Sequence, residues 1–388
     1  MSKTVFYASV GPVLTLYDLD IEGAALTERG AITLPANIQY LWPHPSRRYY
    51  YVVSSTGGPG VAGNAHFASA LSVDPATGEV KLHGEPVRLP SRPIHTTVDA
   101  TGTYLLTAHN IPSSITVHRL NADGTIGAQV ARTEKLDTGI FAHQIRMTPS
   151  NRTALLVTRG NHPEGGKPED PGAIKAFSFD NGVLKNLASI APGHGASVGL
   201  GFGPRHLDFH PTEPWTFVSI ERQNKLYMYR LDDGSGLARD PSFIKETLND
   251  PRTKVEQGAG AIHVHPNGRF VYLTNRSFPA SPSGERKMTT NGENTVAVYA
   301  IDRNSGEPTL IQSIDGLGVQ LRTFSIDPDG RILIAASILP VAQADGTTIS
   351  AGLTVFRMGT DGKLTFVRKY DVDVGKFQQF WSGMITLP

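Results

Sequence analysis

The chain of 388 residues contains no cysteine, which excludes disulfide bonds, thiolate metal sites and a cysteine nucleophile. A metal ion would need its ligands from His, Asp or Glu. Charge of one sign is missing as well, because 36 Lys and Arg residues are matched by 35 Asp and Glu residues, a formal net charge of +1. This balance provides no overall attraction to nucleic acid or to an acidic membrane surface, so neither is predicted as a partner.

Long hydrophobic runs are also absent. No segment approaches the roughly 18 uninterrupted apolar residues that indicate a membrane-spanning helix. The opening segment MSKTVFYASVGPVLTLYDLD lacks the basic stretch followed by an apolar stretch that is typical of a secretory signal. We therefore expect a cytoplasmic protein with no membrane partner.

The chain is rich in turn-forming residues, with 40 glycines and 27 prolines. They occur in a repeated pattern of an alternating apolar run, a turn that usually has His or Asp before Pro, and a second β-rich run. Six turns begin at His44, Asp99, Thr148, His210, His265 and Asp327. Capping of the turn by a short polar side chain explains the residue type at these positions. A third and usually a fourth alternating segment follow, which is typical of a four-stranded β-propeller blade.

The spacing of these turns predicts an all-β, seven-bladed β-propeller that occupies residues 1–388 as a single domain. The seventh blade is expected to form from both ends of the chain. VFYASVG, LTLYDLD and ALTERGAITL supply three strands, and the C-terminal GMITLP supplies the innermost strand. Such closure leaves no long strand edge exposed to other chains. Two β-sandwich domains, the alternative, do not explain the common spacing or the two incomplete ends.

One face of this ring is predicted to carry the function. The first strand of each blade begins, and the second ends, on the same face beside the central channel. Long loops fall on that face at 55–66, 160–172, 193–203, 237–258, 277–293 and 338–352. Functional loops on a rigid scaffold tend to cluster. The strand ends on this face carry His95, His143, Arg205, His263 and Arg322 on first strands, and His109, Arg159, Glu221 and Arg276 on second strands.

A channel mouth with several Arg and His side chains and one carboxylate suits a small anionic molecule, because the guanidinium fork matches carboxylate and phosphate groups. Structural interpretations compete with this one. Ion pairs between blades would explain the arginines and the glutamate one by one, and a buried core position would explain each histidine. The joint position of these residues at one mouth favours function. We predict four catalytic residues, His143, Glu221, Arg205 and Arg276, and three substrate-binding residues, Arg322, His95 and His109.

Two segments carry a resemblance to a known family. GPRHLDFHP, with Glu221 sixteen residues after Arg205, and HVHPNGRFVYLTNR in the next repeat resemble the seven-bladed lactonase family. That family includes bacterial 6-phosphogluconolactonases of the propeller type and fungal 3-carboxy-cis,cis-muconate lactonizing enzymes. The resemblance implies a site of one His, two Arg and one Glu, which fall on His143, Arg205, Arg276 and Glu221. Where relatives often have a second histidine, this chain has Phe141.

The resemblance implies hydrolysis of an anionic small-molecule lactone. No metal or other cofactor is predicted, because a hard cation would need two or more converging Asp, Glu or Asn side chains and the mouth offers only Glu221. His143 is expected to take a proton from the attacking water, since an ordinary histidine pKa of about 6.5 suits a base at neutral pH. Arg205 and Arg276 are expected to hold the substrate anion and the carbonyl oxygen. Glu221, between two arginines, is expected to have a lowered pKa and to orient the water or the arginine pair.

Two alternatives stay open. The same residues suit an intramolecular lyase that closes a muconate to a lactone, a reaction that incorporates no solvent water. A propeller used only as an interaction scaffold would instead carry a large apolar patch on its working face. For oligomeric state, we expect a monomer or a weak homo-oligomer.

Overall fold

The computed structural model describes residues 3–59, 61–278, 292–343 and 345–388, which are almost entirely β-structure. In chain order the strands are β1 (Thr4–Val10), β2 (Val13–Asp20), β3 (Ala25–Thr33), β4 (Asn37–Pro43), β5 (Tyr49–Ser55), β6 (His66–Val73), β7 (Val80–Leu82), β8 (Val87–Arg88), β9 (Arg92–Val98), β10 (Tyr104–Ile111), β11 (Ser113–Leu120), β12 (Ile126–Gln129), β13 (Ala142–Met147), β14 (Thr153–Thr158), β15 (Ala173–Asp180), β16 (Val183–Ile190), β17 (Pro204–Phe209), β18 (Trp215–Ile220), β19 (Lys225–Asp232), β20 (Gly236–Leu237), β21 (Phe243–Glu246), β22 (Gln257–Val264), β23 (Phe270–Ser277), β24 (Thr295–Ile301), β25 (Pro308–Asp315), β26 (Leu321–Ile326), β27 (Ile332–Ser337), β28 (Val341–Ala342), β29 (Thr348–Ile349), β30 (Gly352–Met358), β31 (Leu364–Asp371) and β32 (Gln379–Thr386). Two one-turn 3-10 helices span Gly195–Ser197 and Glu221–Gln223.

The strands form seven antiparallel blades, which confirms the predicted propeller. From the innermost strand outward, blade 1 is β32-β1-β2-β3, blade 2 is β4-β5-β6-β7, blade 3 is β9-β10-β11-β12, blade 4 is β13-β14-β15-β16, blade 5 is β17-β18-β19-β20, blade 6 is β22-β23-β24-β25 and blade 7 is β26-β27-β30-β31. The short strands β8 and β21 pair with β6 and β19, and β28 pairs with β29 in a separate hairpin. Neighbouring innermost strands contact one another around the whole ring.

Blade 1 joins the two ends of the chain, as predicted. The N-terminal β1 pairs with the C-terminal β32 from Thr4 opposite Thr386 to Val10 opposite Gln379. On its other side β1 pairs with β2. Because the last strand is hydrogen-bonded to the first, the ring closes without an open sheet edge between blades 7 and 1.

Burial follows the position of a strand within its blade. The second strands β14, β18 and β27 are buried along their whole length, whereas the outermost strand β3 is exposed at most positions. Second strands are buried because both faces of each sheet pack against neighbouring blades. Between blades 5 and 6, for example, Phe217 packs in one cluster with Leu273. Complete burial of such a side chain contributes about 1.5–3 kcal/mol.

The histidines that begin three of the turns tie neighbouring blades together. The ring Nε2 of each lies close to a glycine carbonyl oxygen in the turn of the next blade, and the pairs are His44–Gly102, His210–Gly268 and His265–Gly330, at 3.0, 2.8 and 3.1 Å. The ring Nδ1 accepts a backbone N–H two residues further along, as in His44 with Ser46 and His265 with Asn267. Nε2 therefore carries the proton and donates it to the carbonyl. These side chains cap their own turn, as predicted, and also link each blade to the next.

None of the described residues forms a helix long and apolar enough to cross a membrane.

Candidate functional site

The innermost strands carry a β-bulge at the same position. One residue has no partner on the second strand of the blade, and it is Gln39 in blade 2, Ile94 in blade 3, His143 in blade 4, Arg205 in blade 5 and Arg322 in blade 7. Each lies five residues before the first residue of its turn. A bulge bends the strand and changes the direction of the extra side chain. Four of these five residues, all except Gln39, line one cavity.

This cavity has a volume of about 280 Å³. It brings together five of the seven predicted site residues, namely His143, Arg205, Glu221, Arg276 and Arg322. Its lining also includes Pro59, Phe278, Ile338 and Leu339 from the loops expected on the working face. Of the predicted loop 277–293, residues 279–291 lie outside the described residues. The cavity therefore lies on the face with the long loops.

Glu221 is the acidic residue of this lining, and three arginines surround it. It begins the 3-10 turn directly after β18. Its Oε1 accepts a hydrogen bond from Arg276 Nη2 at 2.5 Å, and its Oε2 lies 3.8 Å from both Arg205 Nε and Arg159 Nη1. The approach depends on Gly258 in β22, where a Cβ atom would lie 2.8 Å from Glu221 Cγ. Glycine at this position thus allows the carboxylate to sit against the strand.

The arginines keep Glu221 ionised. Burial raises the pKa of the Glu221 carboxyl, but Arg276, Arg159 and Arg205 together outweigh burial and lower it. The pKa of Glu221 is therefore lowered, as expected from the sequence. Burial and then the like charge of Arg276 lower the pKa of Arg205 to about 9. At neutral pH the guanidinium of Arg205 is still protonated, so its positive charge is buried.

His143 presents an uncharged imidazole to the same cavity. Burial, followed by the positive charges of Arg205, Arg322, Arg159 and Arg276, holds the pKa of His143 well below its usual value of 6.5. Its Nδ1 is buried and has no hydrogen-bond partner among the described residues. The pKa is thus lower than the ordinary value expected from the sequence, and at neutral pH the imidazole is uncharged. One of its two ring nitrogens then carries a lone pair.

Phe141, two residues before His143, directly precedes β13 and determines the direction in which the backbone enters that strand. Its φ of +57° lies in the left-handed region, which costs a bulky residue roughly 1–3 kcal/mol. The Arg159 guanidinium lies 4.1 Å from the centre of the Phe141 ring. The aromatic residue thus supports one of the arginines around Glu221.

Two arginines of the cavity contact neutral groups. Arg92 donates hydrogen bonds from Nε and Nη2 to Gln39 Oε1, at 3.1 and 2.8 Å. The guanidinium of Arg322 lies 3.5 Å from the centre of the Phe380 ring. Within the described residues the cavity holds five guanidinium groups and one carboxylate, so four positive charges of this part of the lining are not balanced.

His95 and His109 do not line this cavity, contrary to the sequence-based expectation. His95 is fully buried, and its ring lies 3.9 Å from that of Tyr40. The ring nitrogens of His109 are satisfied internally, by the Ser91 carbonyl and the Thr116 hydroxyl, each at 2.9 Å. In blade 3 the bulge residue is Ile94, so His95 is one position too late to face the cavity.

Arg92 and Asn110 line the cavity but were not predicted from the sequence, and Arg92 could have been found from the repeat. Arg92 lies seven residues before its turn at Asp99. Phe141 and Gln320 occupy the same position relative to their turns, and both line the cavity. Aligning the repeats on the turn would have revealed it.

The described part of the site lacks the set of ligands that a metal ion needs. In the ranges 3–59, 61–278, 292–343 and 345–388, no group of three or more His, Asp or Glu side chains converges on one point. Glu221, which ion-pairs with arginines, supplies the carboxylate of the cavity. A metal-independent reaction stays a prediction.

The fold and the cavity define a class of protein: a closed seven-bladed β-propeller whose channel mouth holds a cavity lined by arginines, a histidine and a glutamate. The family described as Lactonase, 7-bladed beta-propeller, matches residues 7–376, and the chain belongs to this family.

Individual relatives agree with this membership. The 6-phosphogluconolactonase of Bacillus subtilis (strain 168) is 26% identical over 324 residues, which are 83% of this chain and 83% of that protein. The 6-phosphogluconolactonase of Cronobacter sakazakii is 25% identical over 342 residues, 87% of this chain and 88% of that protein. The structure of a periplasmic gluconolactonase of Pseudomonas aeruginosa superposes with a TM-score of 0.75 at 19% identity, over 100% of both chains. The last similarity concerns the fold.

Proposed function

We propose that this chain hydrolyses a lactone that carries an anionic group, with no metal ion in the reaction. The observation that carries the proposal is the cavity itself, in which an uncharged His143 lies among five arginines and one carboxylate. Membership of a lactonase family supports catalysis over a pure scaffold role. Two relatives named 6-phosphogluconolactonase support a phosphorylated sugar lactone as the substrate.

His143 acts as the base in this proposal. Its neutral imidazole takes a proton from water while the water oxygen bonds to the lactone carbonyl carbon. When the ring C–O bond breaks, the imidazolium returns that proton to the leaving alkoxide. The product is a hydroxy acid, and one water molecule is consumed. A positioned base of this kind contributes about 10²–10⁴-fold to the rate.

Arg205 and Arg276 stabilise the charge that develops on the carbonyl oxygen. Both are fixed by contacts with Glu221, so their donors are oriented before the substrate binds. Removal of one such donor typically costs about 10²–10³-fold in kcat. Glu221 is a positioning residue, because its two carboxylate oxygens contact Arg276, Arg205 and Arg159.

The excess of positive charge also suits a second reaction. A substrate with two or three carboxylates, such as a carboxymuconate, would balance the four uncompensated charges of the lining. Its carboxylate oxygen would add to a carbon–carbon double bond while a proton is delivered to the adjacent carbon. This intramolecular lyase reaction leaves solvent oxygen out of the product. Reaction in water enriched in heavy oxygen separates the two candidates, because only hydrolysis labels the acid.

The direct test is a set of side-by-side assays with a phosphorylated sugar lactone, the unphosphorylated lactone and a muconate. We expect acid release from the phosphorylated lactone, and His143→Gln should lower kcat by about 10²–10⁴-fold. His194→Gln, which alters an exposed histidine, is the matched control and should behave like the wild type. Near-wild-type activity of His143→Gln would refute the role of the base. Absence of turnover on every lactone would refute the proposed reaction.

A further inference from the structure

The five guanidinium groups of the cavity divide into two sets. Among the described residues, three contact Glu221, namely Arg159, Arg205 and Arg276. The other two, Arg92 and Arg322, line the same cavity and form no ion pair within the part of the chain that the structure describes. Within the described residues the second set therefore has two positive charges and no ion-pair partner.

Arg92 is held in place without being neutralised. Its side chain is 2% exposed, and Nε and Nη2 both donate to the one amide oxygen of Gln39. Gln39 is the bulge residue of blade 2, so the backbone irregularity that directs side chains inward also supplies this support. Nη1 is left without an acceptor in the described residues and is available to a ligand.

Arg322 is oriented by an aromatic ring. The plane of Phe380 lies under its guanidinium at 3.5 Å, which fixes the direction of its N–H donors while leaving them free. Burial, then Arg205 and Arg276, and then Arg92 lower the pKa of Arg322 well below its usual range. Arg92 and Arg322 line the same cavity, so one ligand group in it can meet both guanidinium groups.

Asn110 supplies a third polar group. It lines the cavity and is 3% exposed, and neither its Oδ1 nor its Nδ2 has a hydrogen-bond partner among the described residues. It is itself a bulge residue of β10, opposite the Pro93–Arg92 end of β9. A buried amide without partners costs free energy, and a ligand oxygen accepting from Nδ2 would relieve part of that cost.

We propose that Arg92, Arg322 and Asn110 form an oxyanion subsite, which binds a phosphate or carboxylate group of the substrate remote from the lactone carbonyl. That this group belongs to the substrate rests on the proposed function. The subsite sets the preference for a charged substrate, while His143 and the arginines around Glu221 perform the chemistry.

The charge and the shape of the region favour a dianion. Two unbalanced guanidinium charges match a phosphate monoester, which carries about −1.5 to −2 charges at neutral pH, better than one carboxylate. A neighbouring cavity of about 270 Å³ shares Pro59 and Gln378 with the central one and contains Gln39. Space for a substrate thus continues past Gln39, the residue that holds Arg92, into a cavity that His143 does not line.

The experiment compares two lactones that share one ring, one with a terminal phosphate and one without. In the full-length protein, Arg92→Gln and Arg322→Gln should each lower kcat/KM for the phosphorylated lactone by about 10- to 100-fold more than for the neutral lactone. Arg119→Gln is the matched control, because Arg119 also lies over an aromatic ring, that of Tyr104, but is exposed. An unchanged ratio between the two lactones in both variants would overturn the subsite.

Titration with inorganic phosphate separates this inference from the proposed function. We expect the wild type to bind phosphate, and each Gln variant to bind it at least tenfold more weakly. If the wild type hydrolyses no lactone, the proposed reaction fails, while this titration still decides the subsite. Equal phosphate affinity in wild type and variants would overturn it.

A merely structural role is tested by stability. Loss of an unpaired buried charge should leave the melting temperature in phosphate-free buffer unchanged or higher, whereas loss of a structural contact should lower it. Arg92→Lys and Arg322→Lys, which keep the charge without the planar fork, serve if a Gln variant does not fold, and should weaken phosphate binding.

Discussion

Replacement of Glu221 by glutamine is the sharpest test of the electrostatic arrangement around the cavity. The substitution keeps the size of the side chain and removes the negative charge that Arg159, Arg205 and Arg276 share. At the observed 3.8 Å, one arginine attracts the carboxylate by about 4 kcal/mol at an effective dielectric constant of about 20. Loss of hydration offsets much of this attraction, and removal of one partner from a buried ion pair costs about 3–5 kcal/mol.

We therefore expect Glu221→Gln to lower the free energy of unfolding by about 3–5 kcal/mol, measured by urea denaturation at pH 7 in phosphate-free buffer. Glu213→Gln, which alters an exposed glutamate in the turn between β17 and β18 of the same blade, should change it by less than about 0.5 kcal/mol. A Glu221→Gln variant within about 1 kcal/mol of the wild type would refute the reasoning.

The pH dependence of this difference follows from the sign of the pKa shift. The pKa of Glu221 is lowered from its ordinary value of 4.5 in the folded protein. Its contribution to stability is therefore fully present above pH 4.5 and is lost as the pH falls through the folded-state value. The stability curves of wild type and Glu221→Gln should converge only at pH values below 4.5.

Three further predictions concern catalysis. Because the pKa of His143 lies well below 6.5 in the free protein, kcat/KM should fall only at pH values well below 6.5; an acidic limb at or above 6.5, after correction for spontaneous hydrolysis, would contradict its role as the base. Gly258→Ala places a Cβ atom 2.8 Å from Glu221 Cγ and should lower kcat/KM by about tenfold or more, whereas Gly30→Ala, with no atom within 4 Å of the new Cβ, should leave it unchanged. Exhaustive chelation followed by assay in metal-free buffer should leave full activity, and loss restored by one added metal would contradict the metal-independent reaction.

The fold was predictable because the sequence repeats one pattern, a turn between two segments of alternating apolar residues. The six turns and the period-two segments between them give the number of blades, and the incomplete ends give the closure through β1 and β32. The sequence predicted that the turn histidines cap their own turns. Their hydrogen bonds to the next blade depend on how neighbouring blades pack in the propeller, which the sequence of one repeat does not show.

The site was predictable in part. Strand ends on one face identified His143, Arg205, Glu221, Arg276 and Arg322, and the cavity contains all five. The bulges explain why His95 was wrongly expected at the cavity, since an extra residue shifts the alternation of side chains by one position. Ile94 therefore faces the cavity in blade 3, while His95 packs against Tyr40. A backbone irregularity of this kind has no signature in one copy of the repeat.

Because the bulge recurs in separate blades, single side chains of the cavity lining can be changed one at a time. Blades 3, 4, 5 and 7 each contribute one bulge side chain to the cavity. Because each of these side chains belongs to a separate hydrogen-bonded sheet, one can be replaced while the other sheets keep their strand pairing. Ile94 is the apolar contribution among the bulge residues of the lining. A glutamate at position 94 would offset part of the excess positive charge of the cavity. The cavity would then prefer ligands that carry less negative charge.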